Sequence, residues 1–204
     1  MIGIVNYGSG NIQAISNIYN RLNIPVQIIE DPSDLVRADK LILPGVGAFD
    51  ATMKKVMDSG LKSALDEEVL IKKKPVLGVC VGMQILGNGS EEGTLPGLGW
   101  IKGKVKKFDL NKFSDKPILP HMGWNTIEPK FNHGILKDLD HELGFYFLHS
   151  YYFETEDSRN ILSTSVYGDE FASAVFNNNI FGMQFHPEKS HFNGIQLLKN
   201  FADQ

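Results

Sequence analysis

The sequence has almost no cysteine: one residue, Cys80, in a chain of 204. That excludes an internal disulfide, and no Cys or His spacing resembles a structural zinc site. Nothing in the sequence suggests a metal ion or an organic cofactor. No apolar run approaches the length of a membrane span, and the opening MIGIVNYGSGN has no basic segment leading into an apolar core. Neither a membrane anchor nor a secretory signal is expected, and a cytoplasmic protein is. An excess of positive charge is also missing, the net charge being -4, which argues against general affinity for nucleic acid. The one basic run, IKGKVKKF around Lys102 to Lys107, alternates with apolar residues and reads as the solvated face of a strand.

What is present is an ordinary globular composition, 42% hydrophobic and 22% charged. At this length a single core buries most of the apolar surface, and residues 1–204 read as one domain. IGIVNY (2–7) is a short apolar run, followed by Ile12, Ile15, Tyr19 and Leu22 at helical spacing over 12–22. The pattern of strand, turn and helix recurs. VQIIE (26–30) precedes a helix signalled by Asp31-Pro32-Ser33, LILPG (41–45) precedes a long helical region to about Lys74, and PVLGVC (75–80) precedes GMQIL. Such alternation predicts an α/β fold, a mainly parallel open sheet with helices on both faces. After Leu86 the texture changes to the loop-rich GNGSEEGTLPGLGW, with Pro117, Pro120 and Pro129 beyond it. YFLHSYYF (146–153), ILSTSVYG (161–168) and FASAVFNNNIFGMQF (171–185) then predict antiparallel strands in the C-terminal half, with a hairpin turn at Asn177-Asn178-Asn179. The chain closes in an amphipathic helix with Ile195, Leu198 and Phe201 on one face.

Cys80 is either inert packing or a reactive thiol. In an open parallel sheet, ligands collect at the carboxyl ends of strands, and Cys80 sits at one. A strand that turns sharply into a helix around a nucleophile needs small neighbours, which Gly78 and Gly82 supply. The amino terminus of the following helix would favour the thiolate, and the N–H of Val81 would face a developing oxyanion, with a second donor from Pro44-Gly45-Val46-Gly47. Of the histidines at 121, 133, 141, 149, 186 and 191, only His186 follows an apolar strand at its end. Residues i and i+2 of an extended segment share a face, so Glu188 reaches the His186 imidazole. A nucleophile, a base and an orienting carboxylate are thus all available.

These residues resemble a known family, the class I (triad) glutamine amidotransferases, whose signatures match Gly78-Val79-Cys80-Val81-Gly82-Met83-Gln84 and His186-Pro187-Glu188. NYGSGN (6–11), LPGVGAFD (43–50), SEE (90–92), LPGLGW (95–100), PHMGWN (120–125), LHSYY (148–152) and HPEKS (186–190) extend the resemblance from end to end, in order. Within the family the set is similar to glutaminase subunits that form a heterodimer with a (β/α)8-barrel cyclase. The pair makes imidazole glycerol phosphate and AICAR in histidine biosynthesis. The resemblance implies Cys80 as nucleophile, through a thioester, His186 as acid and base, and Glu188 as its orienting group. It implies an oxyanion hole at Val46, Gly47 and Val81. Glutamine would be held by Gly47, Gln84, Glu92, His149, Ser150 and Tyr151, with Glu91 in the same pocket segment as Glu92. Ammonia would pass directly to the cyclase across an interface that includes Asn11, Trp124 and Lys189; taken singly, Trp124 reads as core packing and Lys189 as a solvated charge.

The sequence departs from the family at Asn6, where Asp is common, and at Val81, where Leu is usual. GNGSEEGTLPGLGW resembles a branch that supplies ammonia for amidine formation on a surface-polysaccharide sugar. A cysteine hydrolase or chaperone-like protein of similar sheet topology would also place a thiol at a strand end, but the carboxylate two residues after His186 and the full motif set disfavour it. A degenerate, non-enzymatic binding subunit would keep the fold without the chemistry. The intact Cys80, His186 and Glu188 speak against that.

Overall fold

The computed structural model describes residues 1–113, 118–140 and 142–204, so Pro117 and His141 lie outside the described residues. The first half alternates as the sequence predicts: β1 (Ile2–Val5), α1 (Ile12–Arg21), β2 (Val26–Ile29), β3 (Lys40–Gly45), α2 (Phe49–Asp58), α3 (Leu61–Asp66), β4 (Val76–Cys80) and α4 (Val81–Gln84). The details differ in three places. The first strand stops at Val5, leaving Asn6 and Tyr7 in the loop. The Asp31 signal starts a 3-10 helix, Pro32–Arg37, with the Asp31 carboxylate accepting from Ser33 N–H at 2.8 Å. The long helical region before Lys74 is interrupted, because Gly60 at φ +71° separates α2 from α3 and Glu67–Ile71 closes as a π-helical turn.

The second half adds β5 (Gly103–Lys107), β6 (His121–Asn125), β7 (Glu128–Pro129), β8 (Phe145–His149), β9 (Tyr151–Thr155), β10 (Ile161–Tyr167), β11 (Asp169–Asn177), β12 (Ile180–Met183) and α5 (His191–Asp203). The apolar run 146–153 is not one strand. It breaks at Ser150, β8 pairing with β6 in a small separate sheet and β9 with β5 and β11 in the main one. In β5, Val105 faces the core while Lys104 and Lys107 face solvent.

Among the described residues the main sheet has ten strands, running β2-β1-β3-β4-β12-β11-β10-β7 with β9 and β5 branching from β11. Its first five are parallel, and β1, β4 and β12 are buried at every position, as strands covered on both faces must be. The β1-to-β2 and β3-to-β4 connections run in opposite directions along the sheet. Right-handed crossovers therefore place α1 on one face and α2 with α3 on the other. α1 packs beside α5, and the buried Tyr19 hydroxyl donates to the Leu198 carbonyl at 3.0 Å. In α5 the buried apolar residues are Leu197, Leu198 and Phe201, whereas Ile195 is 38% exposed. The 3.6-residue period allowed either neighbour of Gln196, and the close contact of Gly194 with Pro187 O turns Ile195 outward.

Replacing Tyr19 by Phe removes one buried hydrogen bond between the two helices without changing the packing volume. A loss of about 1 kcal/mol is expected by urea denaturation, and an unchanged midpoint would place the hydroxyl in water.

Candidate active site

Cys80 closes β4 at φ 55° and ψ −113°, a conformation that a non-glycine residue occupies only under constraint. The constraint is contact. A Cβ on Gly82 would stand 1.8 Å from Leu43 O of β3, and one on Gly78 would stand 2.4 Å from Gly82 O. Glycine on both sides lets the turn press against the neighbouring strand, and that closeness holds the Cys80 backbone where it is. α4, which follows, is a single turn of four residues. Its dipole is correspondingly small, so the expected help from a helix amino terminus is slight here.

β12 runs parallel beside β4, and the chain continues past its carboxyl end to His186. His186 Nδ1 lies 2.9 Å from Glu188 Oε1, both side chains almost fully buried. The carboxylate takes Nδ1–H, which leaves Nε2 for the sulfur. The His186 backbone is fixed by N–H donation to Tyr146 O at 2.9 Å and by Ser190 Oγ donating to its carbonyl at 2.6 Å. Burial penalises the imidazolium, but hydrogen bonding and charge from Cys80 and Glu188 outweigh that and raise the His186 pKa to about 10. Glu188 Oε2 is buried with no hydrogen-bond partner among the described residues, so the imidazolium is what compensates this carboxylate.

A cavity of 310 Å³ opens above Cys80 and His186, of a size for a small molecule. Val46, Gly47, Val81, Gln84, Glu92, His149, Ser150, Tyr151 and Lys189 line it. Glu92 Oε2 accepts from Phe49 N–H at 2.8 Å, at the start of α2. Glu91 turns away, its Oε2 accepting from Lys107 N–H at 2.9 Å, and does not line the cavity. Glu188 stands behind His186.

The chain matches the glutamine amidotransferase class-I family over residues 3–204. It is 47% identical over 202 residues to the imidazole glycerol phosphate synthase subunit HisH of Leptospira borgpetersenii, covering 99% of both chains. It is 47% identical over 203 residues to the subunit named HisH 2 of Pseudomonas aeruginosa, covering 100% of this chain and 99% of that one. This chain belongs to the class-I glutamine amidotransferases. The crystal structure of another glutamine amidotransferase superposes with a TM-score of 0.72 at 19% identity, covering 99% of this chain and 97% of that one, a likeness of fold.

Besides Glu91, two residues singled out from the sequence of this amidotransferase, Asn11 and Trp124, lie away from the cavity. Asn11 starts α1, which packs against the Pro187–Lys189 turn. Trp124, on β6, is not core: it is 48% exposed and stacks on His191 at 5.4 Å with an interplanar angle of 3°. Lys189 is not simply solvated, since its Nζ lies 5.6 Å from the Tyr146 ring centroid and it lines the cavity. Among the described residues no cluster of His, Cys, Asp or Glu is arranged to hold a metal, and no helix is long and apolar enough to cross a membrane.

The structure adds His121, Tyr7 and Ser9 to the residues that the sequence pattern singles out. His121 Nδ1 lies 3.0 Å from His149 Nε2, and His149 Nδ1 lies 2.8 Å from Tyr151 O. A carbonyl only accepts, so His149 carries its proton on Nδ1, accepts on Nε2, and obliges His121 to donate from Nδ1. Both rings are neutral: burial lowers His121 to about 4 and His149 to about 3. Ser9 and Tyr7, within NYGSGN, hold the loop after β3. Tyr7 OH donates to Pro44 O, and Ser9 Oγ lies 3.1 Å from both the N and the O of Val46. The motif is legible in the sequence, but not the loop it meets.

Because the unfolded chain protonates both rings near pH 6.5 and the fold refuses those protons, stability falls as pH drops from about 6.5 toward 4. The melting temperature should decline through that window. His121→Phe, which keeps the ring packing against Tyr167 and Phe147, should flatten the decline. Parallel pH curves for the two proteins would show that His121 is already charged in the fold.

Proposed function

We propose that the chain is the glutaminase subunit of an imidazole glycerol phosphate synthase. It hydrolyses glutamine to glutamate and ammonia and passes the ammonia to a (β/α)8-barrel cyclase in a heterodimer of histidine biosynthesis. The observation that carries this reading is a single cavity in which Cys80, on a constrained strand-to-helix turn, meets His186 backed by Glu188 at 2.9 Å. The relatives' printed name, a subunit of imidazole glycerol phosphate synthase, supports the choice of synthase.

In this reading Cys80 Sγ attacks the side-chain amide carbon of glutamine. The C–N bond breaks as His186 passes its proton to the nitrogen, ammonia leaves, and the acyl group remains on sulfur as a thioester. His186 then takes a proton from water, whose oxygen attacks the thioester to release glutamate and the thiolate. Glu188 orients the imidazole and stabilises its cation. Glu92, with one oxygen committed to Phe49 N–H, offers the other to the substrate ammonium, while Gly47, Gln84, His149, Ser150 and Tyr151 shape the rest of the pocket. The oxyanion falls to Val81 N–H and a donor from Val46-Gly47. Asn11, Trp124 and Lys189 mark the partner's side. Exposed apolar side chains there, Met122 at 66% and Phe192 at 55%, suit burial against another protein.

A second reading, ammonia supply to amidine formation on a surface-polysaccharide sugar, is favoured by GNGSEEGTLPGLGW. Turnover with each class of partner and acceptor decides between them.

Cys80→Ala should abolish glutamine hydrolysis while the complex still uses added ammonium salt. Glutamine-dependent turnover in that variant would remove Cys80 from the mechanism. Glu188→Gln should lower kcat by less than the ~10⁴-fold lost when a triad acid is neutralised in a serine protease, because a thiolate forms more readily than an alkoxide. A kcat equal to wild type would make Glu188 a loop residue.

The chain alone should also be a poor glutaminase. Val46 N–H is engaged by Ser9 Oγ at 3.1 Å and so points into the NYGSGN loop rather than at the substrate. Gly47, at φ +93° with open space around it, lets that segment turn. One aimed oxyanion donor is worth roughly 10²- to 10³-fold in kcat, so a partner that releases Val46 stimulates by about that factor. Ser9→Ala should raise partner-free hydrolysis several-fold. Equal rates for the chain alone, with the cyclase, and with the cyclase plus acceptor analogue would refute the switch.

A further inference from the structure

Among the described residues, the sulfur of Cys80 has two hydrogen-bonding neighbours besides the imidazole. The Leu148 carbonyl oxygen lies 4.0 Å from Sγ, and Gln184 Nε2 lies 3.9 Å from it. Gln184 is fully buried, in the segment between β12 and His186. Strand register puts it there: Met183 pairs with Val79 across the parallel β12–β4 ladder, so the next residue falls alongside Cys80.

The orientation of its amide follows from one backbone carbonyl. Tyr151 O can only accept, and Gln84 Nε2 donates to it at 3.2 Å. The second N–H of Gln84 goes to Gln184 Oε1 at 3.1 Å. Turning the Gln84 amide over would set oxygen against two oxygens. Gln184 Oε1 is therefore fixed toward Gln84, and its NH₂ group toward the sulfur. The two neighbours of Sγ then favour different protonation states. Leu148 O welcomes a thiol proton and repels an anion, whereas the Gln184 N–H attracts the anion.

We propose that Gln184 is a further catalytic residue of the glutaminase, its amide N–H holding the Cys80 thiolate toward the substrate and away from Leu148 O. This rests on the reading of Cys80 as the nucleophile. Gln84 acts one step back as the positioning residue that sets the Gln184 amide. With both of its N–H groups spent, Gln84 has only Oε1 to offer a substrate.

Cys80 is the single cysteine of the chain, so alkylation by iodoacetamide, itself a small amide, reports on it alone. Its rate is followed against pH in wild type, Gln184→Met and Gln184→Glu, beside glutamine hydrolysis. Gln184→Met should move the alkylation midpoint up by about one pH unit, the tenfold that a hydrogen bond to a charged acceptor is worth at the low end of its range. The plateau above the midpoint should not fall, since a more basic thiolate is the better nucleophile. Gln184→Glu keeps the volume and the acceptor for Gln84 but, when ionised, sets an anion against the sulfur. Its midpoint should rise at least as far, and its glutamine turnover should fall below that of Gln184→Met.

A residue that served only to brace Gln84 would give the reverse order, the Glu variant close to wild type and the Met variant impaired. That order, or unmoved midpoints in both, overturns the proposal. Should the Glu variant fail to fold, the midpoint of the Met variant decides alone. Failure of the underlying reading is a separate result: glutamine hydrolysis that survives in Cys80→Ala removes the nucleophile whatever the Gln184 variants do.

Discussion

The structure depends on how closely β3, β4 and the turn after β4 approach one another. Leu43 O sits where a side chain on Gly82 would begin, and Gly78 is closed off by the same turn. This contact forces the Cys80 backbone into a positive φ and delivers its sulfur to the carboxyl edge of the sheet, next to the loop of β3 and the extension of β12. The energy that holds an unfavourable dihedral comes from the surrounding core, where β1, β4 and β12 are buried throughout. The Cys80 sulfur is therefore placed by packing on all sides of the turn, not by the four-residue helix that follows.

Around that sulfur the charges are sorted by neighbours rather than by residue type. Three buried histidines lie within one neighbourhood, yet His186 is held as a cation and His121 and His149 as neutral rings. The difference is that His186 faces the Glu188 carboxylate and the Cys80 sulfur, while the other two face carbonyl, amide and each other. One backbone oxygen, that of Tyr151, fixes both the tautomer of His149 and the amide direction of Gln84.

Much of this was legible in the sequence. The recurring strand, turn and helix, the glycines around Cys80, and the two-residue spacing from His186 to Glu188 are local signals, and local signals survive in one dimension. What could not be read depends on pairing across distance. The run through Ser150 looks like one strand because both of its halves are apolar and aromatic, and only the tertiary fold sends them to different sheets. His121 meets His149 through the β6–β8 register, Ser9 meets Val46 across a loop, and Gln184 hides in an apolar stretch where a polar residue carries no pattern of its own. Ile195 and Leu197 exchange places because a helical stripe is wide enough to admit either.

The solitary cysteine has one more consequence. A sulfenic acid formed on Cys80 by peroxide would find no second thiol in the chain with which to close a disulfide. Cys80 is only 4% exposed, at the floor of its cavity, so a large reducing protein has little purchase on the oxidised sulfur. Recovery falls to a reductant small enough to enter the cavity, and whatever fills the cavity shields the sulfur from oxidant and reductant alike.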